Sequence, residues 1–373
     1  MKKLLKILIH SLLASHIIVS TSQKINLSLQ KKFKEITYVK DVPTNIECIL
    51  ATDIGGTNSN FGVFTLQDDI AKMILSIHLK SGKVKNLADT LNKILKYLEN
   101  KYAITIKNAS ISSAGLISAD RRFCYSSNVF VDIHEILEKT DLEHAVLSND
   151  FEVIGFGIDL INQQHVVQIK KGKKIENGTL LILGAGTGLG KCTLIWNNKL
   201  QRYLSVPSEF GHSDFSPQSN REYELTEFIK KTENRTCNIS WQDILSGPGI
   251  SRIYAFFCKK NNTEHRKLSP AEIFKNRYVN KSCMDTYLLF TKLYAKCAKN
   301  LALDTISVGG IYVAGGIAAK NIEMFKQPIF VETFTKSHFH SELLKDIPVY
   351  VITDYKISLY GAARFLMLEG LCS

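Results

Sequence analysis

Residues 48–66 read C-I-L-A-T-D-I-G-G-T-N-S-N-F-G-V-F-T-L, and residues 179–196 read T-L-L-I-L-G-A-G-T-G-L-G-K-C-T-L-I-W. Each is a β-rich run, a glycine turn and a second β-rich run. Asp53 and Gly184 stand 131 residues apart, about the length of one domain. Each half of the chain therefore opens on the same kind of hairpin. Around the two hairpins, short β-rich runs alternate with helical patterns, which is the signature of an α/β protein. Strands are expected over Cys48–Thr52, Asn60–Leu66, Ser110–Ser113, Ala145–Leu147, Leu180–Leu183, Cys192–Trp196 and Gly310–Ala314. A helix is expected over Asn86–Tyr102, where Leu87, Leu91, Ile94, Leu95 and Leu98 share one face. Others are expected near 250–260, 283–303 and 358–369.

Glycine takes positive φ and lets backbone N–H groups approach an anion with no Cβ in the way. Two such turns facing each other can hold a triphosphate. In the first, Gly55 and Gly56 supply the turn and Thr57 and Asn58 add side-chain donors. Asp53 offers a carboxylate to a magnesium ion through its waters. In the second, Gly184, Gly186, Thr187, Gly188 and Gly190 form a longer N–H-lined loop. A tight hairpin turn explains either loop taken singly; the pair together favours a nucleotide. The Rossmann pattern fails, because Leu189 stands where its third glycine belongs and a strand follows instead of a helix. The Walker pattern fails at Ala185 and at Cys192, which lacks the metal-binding hydroxyl. A third cluster, Gly309 to Ile317, is a buried strand running into Gly315-Gly316 and a helix. A flat purine could lie against that backbone, although close packing of strand on helix accounts for the same glycines. The order hairpin, hairpin, strand-Gly-Gly resembles the shared ATPase fold of hexokinases, actin and the heat-shock chaperones. That resemblance implies two lobes of duplicated mixed β-sheets flanking a cleft.

Composition narrows the function. The 373 residues are 45% apolar and 22% charged, too apolar for disorder. The net charge of +12 is uneven: residues 1–45 hold eight lysines against Glu35 and Asp41, half of the surplus. No basic helix, zinc-finger spacing or RNP-like aromatic run accompanies it, so no nucleic-acid partner is expected. The eight cysteines are scattered without a C-x-x-C pair, which fits a reducing compartment.

Residues 1–22 begin with lysines and continue as an apolar run broken by His10 and His16. Four readings stand side by side: a secretory signal, an organellar transit peptide, an amphipathic surface helix that associates with a membrane, and a start placed too far upstream.

Seven runs are similar to the bacterial glucokinase family, in family order from about residue 46 to 370. They are Asp53 to Asn58, Asn149-Asp150-Phe151, Gly184 to Gly190, Ser208 to Phe215, Ser246 to Gly249, Val313 to Ile317 and Asp346 to Tyr350. The resemblance implies ATP-dependent phosphorylation of the glucose 6-hydroxyl, giving glucose 6-phosphate for glycolysis, with Mg²⁺ as companion ion. It implies an N-terminal extension over 1–45 (signal-like or disordered), a small α/β domain from 46–155 with 353–373, and a large α/β domain over 156–352. Asp150 matches the catalytic base, a carboxylate able to accept the hydroxyl proton; a helix N-cap before Phe151 explains the same residue. Asn149, Glu209, His212 and, in a divergent context, Asn128 match sugar contacts. The Glu209/His212 spacing also suits a metal, without a visible third ligand. Gln242 stands where the family has a sugar-binding glutamate; its neighbour Asp243 is expected to point elsewhere. Asn60 stands where the first loop usually carries arginine, which removes a cation near the phosphates. The family's proline is absent around Ala114-Gly115-Leu116.

These departures keep two alternatives in view: a related kinase with another sugar acceptor, and a catalytically impaired sugar-binding regulatory protein. The resemblance further implies a homodimer. The need for ATP points to the cytoplasm, with organellar import or membrane tethering through residues 1–22 left open.

Overall fold

The computed structural model describes residues 33–67, 70–125, 129–160 and 163–371. Fifteen strands occur among them: β1 Lys34–Thr37, β2 Ile46–Ile54, β3 Asn58–Gln67, β4 Ile70–Lys80, β5 Ile104–Ser113, β6 Leu116–Ile117, β7 Phe123–Tyr125, β8 Val131–Asp132, β9 His144–Asn149, β10 Val166–Lys170, β11 Leu180–Ala185, β12 Leu189–Asn197, β13 Arg202–Ser208, β14 Gly310–Ala314 and β15 Val349–Ile352. Every strand expected from the sequence is present. Most run further than their apolar stretches. Lys107 and Asn108 interrupt the pattern ahead of Ser110, yet backbone pairing of β5 with β2 continues back to Ile46 opposite Ile104.

Two compact units divide these elements. The first holds the described residues up to Ser113, Ile117–Leu147 and those from Leu366 on; the second holds Ala114–Leu116 and Ser148–Phe365. Residues 148–155 and 353–365 group with the second unit because the closing helix packs there. Phe156 stacks on Phe365 at 5.2 Å, and a Cβ on Gly361 would lie 1.7 Å from the Val153 carbonyl.

The first unit is built on a sheet of order β1-β4-β3-β2-β5-β9. Strands β2, β3 and β4 are antiparallel, and β5 runs parallel to β2. The helix Leu87–Tyr102 packs on this sheet. Its N-terminus is capped by Asn86, whose Oδ1 accepts from the Asp89 N–H at 2.8 Å, and it ends where Ala103 turns left-handed at φ 52°. Leu87, Leu91, Ile94 and Leu98 are buried against Leu50, Phe61, Val63 and Leu75. Each such side chain contributes about 1.5–3 kcal/mol. Strand β1 lies inside residues 1–45, which the sequence set apart as an extension. It joins the edge of β4, pairing Lys34 with His78 and Thr37 with Leu75.

The second unit repeats the plan. Its sheet has the order β10-β15-β14-β11-β12-β13, with β11, β12 and β13 antiparallel and β14 and β15 parallel to β11 and to each other in turn. The series β4-β3-β2-β5 and β13-β12-β11-β14 are thus the same topology used twice. A 25-residue helix, Lys281–Thr305, runs through the larger core and buries Phe290, Leu293, Tyr294, Cys297 and Leu301. Seven cysteines are free thiols among the described residues. No described helix is long and apolar enough to cross a membrane; residues 1–22 lie outside the described residues.

Candidate active site

In the second unit the expected site residues collect around the turn that joins β11 to β12. Strand β9 delivers Asn149, and the helix Asp150–Gly157 starts at the next residue. The cap is Asn149 rather than Asp150. Asn149 Oδ1 accepts from the N–H groups of Phe151 at 2.9 Å and Glu152 at 3.4 Å, while Glu152 returns a carboxylate oxygen to the Asn149 N–H at 3.3 Å. This reciprocal box satisfies donors that a helix start leaves open. Asn149 Nδ2 also donates to the Gly115 carbonyl at 3.2 Å. Much of its amide is therefore engaged within the protein, and Asp150 occupies the first helical position on a fixed backbone.

Phe151 connects that backbone to the second glycine loop. A Cβ on Gly190 would stand 2.0 Å from the Phe151 ring, and one on Gly184 would stand 2.8 Å from it. Both glycines lie within the strand ladder, facing each other across β11 and β12, so their role here is clearance for the ring. The loop proper is Gly186-Thr187-Gly188. It is closed by the Gly186 N–H donating to the Gly188 carbonyl at 2.8 Å, and anchored by the Gly247 N–H donating to the Gly186 carbonyl at 2.8 Å. A Cβ on Gly186 would meet nothing within 4 Å.

Three further segments close on the same turn. Gln242 accepts from the Leu189 N–H at 3.2 Å and covers Gly188, where a Cβ would lie 2.4 Å from Gln242 Oε1. Its neighbour Asp243 points away, as expected, onto Arg235 at 2.7 Å. Burial raises the Asp243 pKa, but the Ser240 N–H and the Arg235 guanidinium outweigh it and hold the carboxyl below its ordinary range. The Glu209–His212 segment packs its Gly211 backbone against Leu189, whose carbonyl would lie 2.2 Å from a Cβ there. Glu209 and His212 approach each other at 3.7 Å and are well exposed. Gly315, at φ 89°, brings its backbone against Ala185, where a Cβ would sit 3.0 Å from the carbonyl; glycine alone holds that conformation cheaply. Gly316 opens the short helix that follows. Ser246 caps the helix Gly247–Lys260 by accepting from the Gly249 N–H at 3.1 Å.

The first unit holds the other expected group. Asp53 stands next to the last residue of β2, opposite Asn60 of β3, and Gly55-Gly56-Thr57 turns between the strands, with the Gly55 N–H donating to the Asn58 carbonyl at 3.0 Å. Asn58 Oδ1 accepts from Lys80 Nζ at 2.9 Å, so a cation stands at this turn although Asn60 carries none. Asn128 lies outside the described residues. Sequence reading did not register Phe151 as a packing element, Gly247 as an anchor of the loop, or Tyr294, whose buried hydroxyl oxygen accepts from the Ala185 N–H at 3.1 Å. The spacing of Tyr294 on an apolar helix stripe was its only signal.

A family model described as Glucokinase matches residues 50–369. The chain belongs to the glucokinase family. It is 30% identical over 319 residues to the glucokinase of Agrobacterium fabrum, covering 85% of this chain and 91% of that protein. It is 28% identical over 326 residues to that of Shigella boydii serotype 18, covering 86% and 97%. Among solved structures it is similar to a glucokinase from an Antarctic psychrotroph, with 25% identity, a TM-score of 0.71 and coverage of 86% and 99%. The glucokinase of Balamuthia mandrillaris, solved in complex with glucose, shares the fold with 20% identity, a TM-score of 0.73 and coverage of 93% and 98%. The duplicated mixed sheets are those of the actin-like ATPase fold, and this glucokinase-family chain is a sugar kinase, a phosphotransferase with an alcohol group as acceptor.

Proposed function

We propose that the protein transfers the γ-phosphoryl group of ATP to the 6-hydroxyl of glucose, with Asp150 as the catalytic base. The observation that carries this reading is the seating of Phe151 under Gly184 and Gly190, which ties the helix start bearing Asp150 to the glycine loop. Asp150 accepts the hydroxyl proton as the oxygen attacks phosphorus. The Asn149 cap and the Phe151 seat keep its carboxylate in one position, and positioning is the larger share of phosphoryl-transfer catalysis. Glu209 and His212 accept hydrogen bonds from sugar hydroxyls, and His212 also donates. Asn149 and Gln242 each contribute an amide N–H to the sugar, while Gln242 Oε1 keeps the loop closed. Asn128 is a further sugar contact.

The Gly55–Asn58 turn and the Gly186–Gly188 loop each offer N–H groups to a phosphate, and the backbone at Gly315-Gly316 receives the purine. Magnesium takes one or two carboxylates together with phosphates and retained waters. A single carboxylate, Asp53, at the end of a strand beside a glycine turn is a donor set of that kind, so the residues present fit the ion. Asp53 would hold it through water, and the ion neutralises phosphate charge when bound. The protein acts in the cytoplasm as a homodimer, with membrane association through residues 1–22 as an open addition.

Asp150→Asn tests the assignment. Glucose affinity should stay within about threefold while kcat falls by about 10²-fold or more in a coupled assay with ATP and Mg²⁺. Comparable turnover in the variant removes Asp150 from the mechanism. Glucose binding without turnover in the unaltered protein supports a regulatory binding protein instead.

A further inference from the structure

Asp53, Asn60, His78 and Lys34 form one cross-strand row, each directly opposite the next across β2, β3, β4 and β1. Side chains of such a row share one face of the sheet. Asn60 Nδ2 donates to Asp53 Oδ2 at 3.4 Å, and Asn60 Oδ1 meets His78 Nδ1 at 2.8 Å. His78 Nε2 meets Ser76 Oγ at 2.7 Å, and Ser76 Oγ meets Tyr38 Oη at 3.0 Å. One arrangement of hydrogens satisfies every link: Tyr38 donates to Ser76, Ser76 to His78 Nε2, His78 Nδ1–H to Asn60 Oδ1, and Asn60 Nδ2 to the carboxylate. A neutral His78 meets that requirement. Burial and the Lys34 ammonium opposite both hold its pKa below the ordinary imidazole value.

We propose that His78 is a positioning residue for Asp53, acting through Asn60. The Asn60 amide has two orientations, and only one presents N–H to Asp53; the other sets carbonyl oxygen against carboxylate. His78 Nδ1–H selects the first by occupying Oδ1. The carboxylate is thereby aimed by a neutral relay. This inference rests on the reading of Asp53 as the residue that holds the nucleotide's divalent cation through water.

The test compares His78→Phe and Asp53→Asn with the parent protein. With His78→Phe, half-saturation by Mg²⁺ at saturating ATP and glucose should rise about three- to tenfold. That is less than the 10- to 100-fold typical of supports for direct ligands, because the carboxylate bond is long and the ion is reached through water. The dissociation constant of Mn²⁺·ADP, read by electron paramagnetic resonance without turnover, should rise by the same factor, with the glucose KM unchanged. In an Asp53→Asn background, His78→Phe should add nothing. If Asp53→Asn weakens Mn²⁺·ADP and His78→Phe does not, the relay is overturned and the role of Asp53 stands. If neither weakens it, the role of Asp53 fails, and the relay with it. Should His78→Phe fail to fold, the parent protein decides: nitrogen-15 spectra at neutral pH must show His78 protonated at Nδ1 and bare at Nε2, and the opposite tautomer refutes the proposal.

Discussion

Replacing Gly190 by alanine tests the link between the glycine loop and the helix that carries Asp150. The new Cβ would stand 2.0 Å from Cδ2 and Cε2 of Phe151. Carbon atoms in contact settle at about 3.5–4.0 Å, so ring and strand must part by roughly 1.5 Å. Neither side yields freely. Gly190 is held in the ladder between β11 and β12, and Phe151 follows the Asn149 cap by two residues. Overpacking of this size costs about 1–3 kcal/mol, or roughly 2–12 °C in the thermal midpoint of a unit this large. Whatever part of the shift reaches Asp150 falls on kcat, since a misplacement near 1 Å costs about 10²-fold. Steady-state kinetics should show kcat reduced at least tenfold, with the glucose KM within about threefold. A second substitution, Phe151→Leu, shortens the intruding ring and should return part of both losses. Gly190→Ala with parental kcat and melting temperature would show that the ring does not transmit position to the Asp150 carboxylate.

The other predictions concern stability. Lys296 and Glu222 form a buried pair at 2.6 Å, with side chains 4% and 3% exposed. Through it the helix Lys281–Thr305 holds the segment after His212, because Lys296 also donates to the Ser216 carbonyl and Glu222 accepts from the Gln218 N–H. Lys296→Met should lower unfolding free energy by about 3–5 kcal/mol, and Lys296→Met with Glu222→Leu should recover most of it. A loss under about 1 kcal/mol in urea denaturation refutes that account. Glu35 anchors β1 to the helix Leu87–Tyr102. Burial raises its pKa, but bonds from Lys101, Tyr102 and Tyr97 outweigh burial, and the net pKa is lowered. Its contribution is therefore complete above the unfolded carboxyl pKa of about 4.3 and disappears as pH falls through the lower folded value. The stability difference between parent and Glu35→Gln should be constant from neutral pH to about 5 and shrink below about 4.3. A difference that grows on acidification reverses the sign and rejects the assignment.

Much of the fold was legible because its signals are local. The stripe Leu87, Leu91, Ile94, Leu98 repeats at helical spacing, and all four are buried as the pattern requires. The two hairpins announce themselves by apolar runs on either side of glycine. The residues proposed for the site stand in short runs, such as Asn149-Asp150 and Glu209 to His212, which is why a sequence can offer them as candidates. The cap was not legible: adjacent Asn and Asp are equally able to accept from a helix start, and the choice of Asn149 depends on where β9 ends and on the Gly115 carbonyl that receives its amide. Gly184 and Gly190 read as donors to an anion, whereas in the fold they clear a ring that comes from 33 and 39 residues earlier in the chain.

By itself the sequence determined the α/β class and the repeated hairpin and strand plan, and it offered the segments proposed to hold the chemistry, because each follows from periodicity, glycine and neighbours within a few residues. Only the tertiary structure decided what those segments touch. It set Phe151 beneath the loop, turned Gln242 onto the Leu189 N–H and Asp243 away to Arg235, and lined up Tyr38, Ser76, His78 and Asn60 behind Asp53. Those contacts join residues far apart in the chain. Their partners are fixed by strand register and core packing, which local spacing does not encode.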